Sequence, residues 1–359
     1  MSGGRALIVK LSAMGDIIHA LPALMDAARA RPDWRFDWVC EKNHAELLRW
    51  GAPLANIHTL QLREWKRAPL QQLRRGSAAR EAIGALRARR YDCVIDAQGL
   101  LKSAITARIA AQGAPIHGPD AAWAREKAAS RFYTHPTAVD AFHVVARNRQ
   151  LFAHALGYAL PHTAPDFGVK PDALPTLEQI NGQLHGPLPS RYLLLLHGCG
   201  WSSKAWPESY WAELIAQIGA RNWGPVLLPW GGEAEKARAE RLAQAAPQHA
   251  RVLPRLGLSA MARIIHNARA VVGLDSGFAH LAGAMEAPVV TLYGATNPDY
   301  SGVAGAQGVL LHSDKPCAPC MLRRCPLDEP GPIQPPCFAT LPPSKIISAL
   351  ESLLTGGAS

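Results

Sequence analysis

Short apolar runs recur along the chain, each closed by a turn and followed by apolar positions at helical spacing. Residues 6–11 read as a first buried strand, 36–40 as a second, 57–60 as a third, 93–96 as a fourth and 115–118 as a fifth. Between them, 17–30 and the highly charged 78–90 carry helical spacing. Continuous apolar strands alternating with helices predict a parallel sheet covered on both faces. The pattern then lapses. Pro161, Pro165, Pro171, Pro175, Pro187 and Pro189 punctuate a stretch poor in periodic apolar positions, which predicts a domain boundary. It resumes with strands at 192–196, 226–228, 270–274 and 289–292, and helices at 207–218, 233–245, 277–285 and 344–354. The expected fold class is α/β, with two Rossmann-like domains facing each other across a cleft. The first spans 1–165. The second spans 166–342 and includes a cysteine-rich loop at 317–337. A final helix within 343–359 is expected to pack back toward the first domain.

Open α/β sheets bind ligands beyond the carboxyl ends of their strands, so the turns there carry the candidate chemistry. After the first strand stands Lys10-Leu11-Ser12-Ala13-Met14-Gly15-Asp16. Asp16 is a candidate general base, able to take the proton of an acceptor hydroxyl. A carboxylate at a helix start reads equally well as a cap. In the second half stands Gly273-Leu274-Asp275-Ser276-Gly277-Phe278-Ala279-His280. It joins helix-start N–H groups, a hydroxyl, a carboxylate and a histidine about one turn later, which together suit an anion. The segment from His197 to Pro207 runs from a strand into Gly198, Cys199 and Gly200, then Ser202, Ser203 and Lys204, between Trp201 and Trp206. Backbone N–H groups, hydroxyls and a compact ammonium suit a phosphate, although the glycine spacing is not that of a Walker loop. Glu235 follows Pro229-Trp230-Gly231-Gly232 at another strand end. It is placed to accept ribose hydroxyls, or serves only as a first-turn acid favoured by the helix dipole.

Charge narrows the partners. Lys and Arg number 38 against 28 Asp and Glu, a net +10, which favours anionic partners or reflects an arginine-rich background. The segment Arg63-Glu64-Trp65-Lys66-Arg67, with Arg74-Arg75, interleaves basic and aromatic residues, and Lys102 and Arg125 add charge at other loops of the first half. These suit a sugar acid or an anionic lipid, or form a solvated face. No recognition helix or aromatic platform supports nucleic acid. The first strand lacks the Gly-x-Gly-x-x-Gly that a dinucleotide oxidoreductase requires. Neither a signal peptide nor an apolar stretch of spanning length is visible, so the expectation is a cytoplasmic protein touching a membrane from the inside. Of seven cysteines, Cys317, Cys320, Cys325 and Cys337 share one loop. The Cys-x-x-Cys pair followed by two looser cysteines predicts structural zinc on four thiolates, with an iron–sulfur cluster or disulfides as alternatives. Four thiolates leave no open position for catalysis.

Several blocks together carry a family resemblance. They are Ser12-Ala13-Met14-Gly15-Asp16, Val94-Ile95-Asp96-Ala97-Gln98-Gly99-Leu100-Leu101-Lys102-Ser103, Ala124-Arg125-Glu126, Lys204-Ala205-Trp206-Pro207-Glu208, Leu228-Pro229-Trp230-Gly231, Asp275-Ser276-Gly277 to His280, and Leu292-Tyr293-Gly294-Ala295-Thr296-Asn297-Pro298. The chain resembles the ADP-heptose:lipopolysaccharide heptosyltransferases nearly end to end. The resemblance implies a GT-B fold, ADP-L-glycero-D-manno-heptose as donor and the Kdo residue of Kdo2-lipid A as acceptor. Transfer would be inverting, without a metal or other cofactor at the reacting centre, on an enzyme peripheral to the inner membrane. A branch acting on a heptose acceptor is the alternative. By position, Asp16 is the base and Cys199, Gly200, Ser203, Lys204, Glu235, Asp275, Ser276, Gly277 and His280 form the donor site. Gly15, Arg63, Lys66, Arg67, Lys102 and Arg125 fall where acceptor contacts are expected. Cys199-Gly200 stands where the family often has a pair of threonines, which passes the hydroxyl role to Ser202 or Ser203. The cysteine loop belongs to only part of the family.

Overall fold

The computed structural model describes residues 3–67, 76–184, 186–305, 307–327 and 331–356. The chain divides into two compact units between Lys170 and Pro171. In the first, β1 (Arg5–Val9), β2 (Arg35–Glu41), β3 (Asn56–Leu60), β4 (Cys93–Asp96), β5 (Ile116–Pro119) and β6 (His135–Thr137) form a parallel sheet ordered β3-β2-β1-β4-β5-β6. In the second, β7 (Leu193–Leu196), β8 (Val226–Leu228), β9 (Ala250–Val252), β10 (Ala270–Leu274), β11 (Val289–Tyr293) and β12 (Gly308–His312) form a parallel sheet ordered β12-β11-β10-β7-β8-β9. Counted from its own first strand, each sheet has the same doubly wound order, 3-2-1-4-5-6. The order reverses between β1 and β4 in one unit and between β7 and β10 in the other, and ligand crevices open at such switch points.

The central strands are the apolar runs. Ala6, Leu7, Ile8 and Val9 of β1 and Leu193, Leu194 and Leu195 of β7 are fully buried. Helices cover both faces, so no position on these strands can be polar without a partner. The strands that the pattern does not predict, β6, β9 and β12, all lie at sheet ends. An end strand has a neighbour on one side only, and its sequence need not be continuously apolar: β9 reads Ala-Arg-Val and is half-buried throughout. The expected single helix over 17–30 is two, Met14–Ile18 and Leu21–Ala30, with Pro22 in the first turn of the second, where its missing N–H leaves no bond unmade.

The terminal helix Pro343–Gly356 packs within the second unit. Ile346, Ile347 and Leu350 are buried in the core of the second unit with Trp211, Leu214, Ile215 and Ile218 of helix Glu208–Ala220. Its apolar stripe is consumed there, and the Trp206 indole N–H donates to the Leu341 carbonyl at 3.0 Å, anchoring the approach to the helix. Among the described residues no helix is long and apolar enough to cross a membrane.

Candidate active site

In the first unit the chain leaves β1 into a turn held by β4. Leu11 and Ser12 N–H groups donate to Gln98 Oε1 at 2.8 and 3.1 Å, and the Gln98 amide returns a bond to the Ser12 carbonyl. Asp96, fully buried at the end of β4, accepts from the Gln98 and Gly99 N–H groups and from the Tyr133 hydroxyl at 2.8 Å. Gly99 has φ +70°, and a Cβ there would lie 2.9 Å from Pro119 and 3.3 Å from the Arg125 nitrogen. Only glycine permits that approach. Across it, Glu126 N–H donates to the Gly99 carbonyl at 3.0 Å and Glu126 Oε2 accepts from Leu101 N–H at 2.5 Å. The block from Ile95 to Ser103 thus fixes both the turn bearing Asp16 and the loop bearing Arg125.

Those two side chains meet. Arg125 donates through both terminal nitrogens to Asp16, at 2.9 Å to Oδ2 and 2.5 Å to Oδ1. The Ala13 N–H also donates to Oδ2 at 3.1 Å. Burial would raise the Asp16 pKa, yet the nearby Lys10 and Arg125 charges outweigh it and hold the carboxyl below its usual range. Lys10 is itself buried, donating to the Ala97 carbonyl at 2.5 Å, and burial lowers its pKa to about 8. Lys102 Nζ reaches Ser12 Oγ at 3.2 Å. Gly15, Asp16, Lys102 and Arg125 therefore belong to one neighbourhood. Arg67 is exposed at the end of helix Leu62–Arg67. The side chains of Arg63 and Lys66, and residues Arg74 and Arg75, lie outside the described residues.

In the second unit the turns after β7 and β10 also join an acid to a base. Lys204 Nζ donates to Asp275 Oδ2 at 2.6 Å and sits over the Trp201 ring, 4.4 Å from its centroid. His280 Nε2 lies 3.1 Å from Asp275 Oδ1. Burial opposes the ionised carboxylate, but His280 and Lys204 more than offset it and keep Asp275 well below the ordinary carboxylate range. Beside this group a pocket of about 400 Å³ is lined by Gly198, Cys199, Gly200, Glu235 and Ser276, with Gly277 next in chain opening helix Gly277–Ala284. Glu235 Oε2 accepts from the Gly231 N–H at 2.8 Å, and a Cβ on Gly198 would fall 2.3 Å from Glu235 Oε1. A side chain at 198 would displace the carboxylate from the pocket wall.

The same pocket is lined by Trp230, Arg255, Leu256, Met261 and Phe278, which sequence reasoning did not assign. Arg255 and Leu256 follow β9, a strand with no apolar run to announce it. The available signal was topological, since every loop after a strand of such a sheet borders the crevice. Ser203 turns away from the pocket's lining. It is buried, its hydroxyl donates to the Leu322 carbonyl at 2.5 Å, and Ser202 donates to the Arg323 carbonyl at 3.3 Å. Both hydroxyls are spent tethering the turn to the cysteine loop, because residues 322 and 323 pass directly against it. Cys317, Cys320, Cys325 and Cys337 line one small apolar cavity with Gly294 and Ala295. Burial, followed by the other three sulfurs, pushes the Cys337 thiol up to about 11. Among the described residues no group of three or more His, Cys, Asp or Glu side chains is arranged to hold a metal ion.

The model of glycosyltransferase family 9 (heptosyltransferase) matches residues 80–330. The chain belongs to this family. It is therefore a glycosyltransferase, and its two Rossmann-like units are those of the GT-B class. Lipopolysaccharide heptosyltransferase 1 of Pseudomonas aeruginosa is 43% identical over 98% of this chain and 98% of its own length. The enzyme of that name from Escherichia coli K12 is 40% identical over 87% of this chain and 94% of its own. The solved structure of E. coli heptosyltransferase WaaC with ADP matches with TM-score 0.79 at 34% identity, covering 97% of this chain and 99% of that one. E. coli ADP-heptose heptosyltransferase II shares the fold, with TM-score 0.75 at 19% identity over the full length of both chains.

Proposed function

We propose that this family member transfers L-glycero-D-manno-heptose, with inversion, from ADP-heptose to the Kdo residue of Kdo2-lipid A in lipopolysaccharide inner-core synthesis. The observation that carries the choice of acceptor is the end-to-end likeness to enzymes named lipopolysaccharide heptosyltransferase 1. By contrast, lipooligosaccharide heptosyltransferase 2 of Haemophilus influenzae aligns over 28% of the chain. WaaC has been solved with ADP and with ADP-2-deoxy-2-fluoro heptose, which supports the same class of donor here.

In this reading the pocket of the second unit takes the nucleotide. Leu256, Met261 and Phe278 offer the apolar wall for adenine and Glu235 accepts from the ribose hydroxyls. The N–H groups at Ser276 and Gly277 and the Lys204 ammonium face the diphosphate, whose charge grows as it leaves. Asp275 and His280 aim the lysine. Asp16 takes the proton of the attacking Kdo hydroxyl. Lys204 and the helix start offset the leaving charge, so no step calls for a metal or cofactor. Arg63, Lys66, Arg67 and Lys102 suit the anionic acceptor at the cytoplasmic face of the inner membrane, where the enzyme would be peripheral. For the cysteine loop we propose a structural role, with zinc the ion to seek. Four thiols round one cavity and the serine tethers to residues 322 and 323 support that role. Elemental analysis of anaerobically purified protein tests it, and protein free of zinc and iron would leave disulfides or free thiols in the loop. The function itself is tested by incubating the protein with ADP-heptose and Kdo2-lipid A and weighing the lipid product. One added heptose is expected; unmodified lipid would refute the reading.

A further inference from the structure

The carboxylate best placed to act as base is clamped. Both Asp16 oxygens are taken by the Arg125 fork, at 2.9 and 2.5 Å, and Oδ2 also accepts from Ala13 N–H. A carboxylate so engaged is a poor proton acceptor, since hydrogen bonding and nearby positive charge both stabilise its ionised form. The two partners are not equally hidden. The Arg125 side chain is 42% exposed and that of Asp16 15%, so an arriving solute meets the guanidinium first. The pair joins segments 109 residues apart, on the turn after β1 and the loop after β5. The guanidinium fork fits any carboxylate in the same bidentate manner.

We infer that Arg125 is a lock on the base that an acidic acceptor opens: the acceptor's own carboxylate replaces Asp16 on the guanidinium. This deepens the proposed function and rests on it, because the acceptor there is a sugar acid. The exchange moves no covalent bond. One carboxylate leaves the fork and another takes its place, so the count of charge-assisted hydrogen bonds is conserved. The guanidinium charge is then compensated by the acceptor, and Asp16, retaining Lys10 as its nearby cation, becomes the stronger base. The acceptor hydroxyl then gives its proton to Asp16 as its oxygen bonds to the donor's anomeric carbon. The bond from that carbon to the diphosphate breaks and ADP leaves with the electron pair. A neutral sugar of the same shape cannot release the base. Arg125 thus selects for an acid by coupling recognition to base activation, which binding alone would not do.

The experiment compares Kdo2-lipid A with its analogue reduced from carboxylate to primary alcohol at the acceptor Kdo, in the wild type and in Arg125→Gln. Losing a charge-assisted bidentate contact predicts a wild-type preference for the acid of about 10- to 100-fold in kcat/KM, expressed in kcat as well as KM. In Arg125→Gln the two acceptors should differ little, and the acid limb of the pH–rate profile should move up because the cation that depressed the base is gone. ADP-heptose binding serves as the folding control. If that control fails, Arg125→Lys replaces Gln: its ammonium cannot hold two carboxylate oxygens as a fork, so a reduced preference is expected. Equal use of both acceptors by the wild type overturns the inference, as does an undiminished acid preference in the folded variant. Absence of any transfer to natural Kdo2-lipid A by the wild type would refute the proposed function instead, so the two failures are distinguishable.

Discussion

The two units repeat one topology, and each joins an acid to a base beyond its strand ends with the carboxylate the deeper member, yet the pairs differ in how openly they meet solvent. In the second unit the carboxylate is the buried partner. Asp275 is 7% exposed, tied to both Lys204 and His280, and depressed far below ordinary range. In the proposed reading it aims the lysine. In the first unit both members are more open, Arg125 at 42% and Asp16 at 15%, and the carboxylate is the proposed base. Topology gathers charge beyond the strand ends in both units; what differs is whether the carboxylate is held by a buried lysine and histidine or by one exposed guanidinium.

Each variant below tests that asymmetry. The largest effect is expected for Asp16→Asn, a loss of about 10²- to 10⁴-fold in kcat with unchanged ADP-heptose affinity. Near-normal turnover would demote Asp16 to a cap and erase the contrast. Next comes Lys204→Ala, with donor affinity falling by roughly 10- to 100-fold, the value of a charge-assisted hydrogen bond. Titration calorimetry with ADP measures it. In an Asp275→Asn background the same substitution should cost measurably less, because an unaimed lysine has less to lose; full additivity would mean that Asp275 does not aim it.

A smaller effect concerns pH. Burial lowers Lys10 from its ordinary 10.5 to about 8. Between those values the unfolded chain binds the extra proton, so stability rises with pH across that window. Lys10→Met should flatten the rise, read as the difference in urea midpoint between pH 8 and pH 10. Asp275 works at the other end, since its depressed pKa gives stability present above the unfolded value and lost as pH falls below it. An unaltered alkaline rise in Lys10→Met would assign the window to other groups. The smallest effect is expected for Cys320→Ser, a fall in Tm of about 2–4 °C for loss of roughly one kcal/mol from a unit this size. Donor affinity should weaken only slightly, through the serine tethers. Loss of transfer with Tm unchanged would place the cysteine loop in the chemistry.

By itself the sequence determined the central strands, the two-unit class and the turns that carry Asp16, Lys204 and Asp275. Those features are local: a strand covered on both faces must be continuously apolar, and glycine turns with charged residues stand directly after it. The tertiary structure decided the rest. Whether Asp16 is free or held depends on Arg125, 109 residues away, and on the Gly99 turn that brings the second loop in. Ser203 reads as a phosphate donor until residue 322 passes within reach of its hydroxyl. Leu256 and Met261 become a pocket wall only because β9, too short and polar to announce itself, pairs at the end of the sheet. Periodicity records burial, which each residue experiences locally. Partnership between distant loops is written in no single stretch of chain, and it exists only once the sheet has set the distance between them.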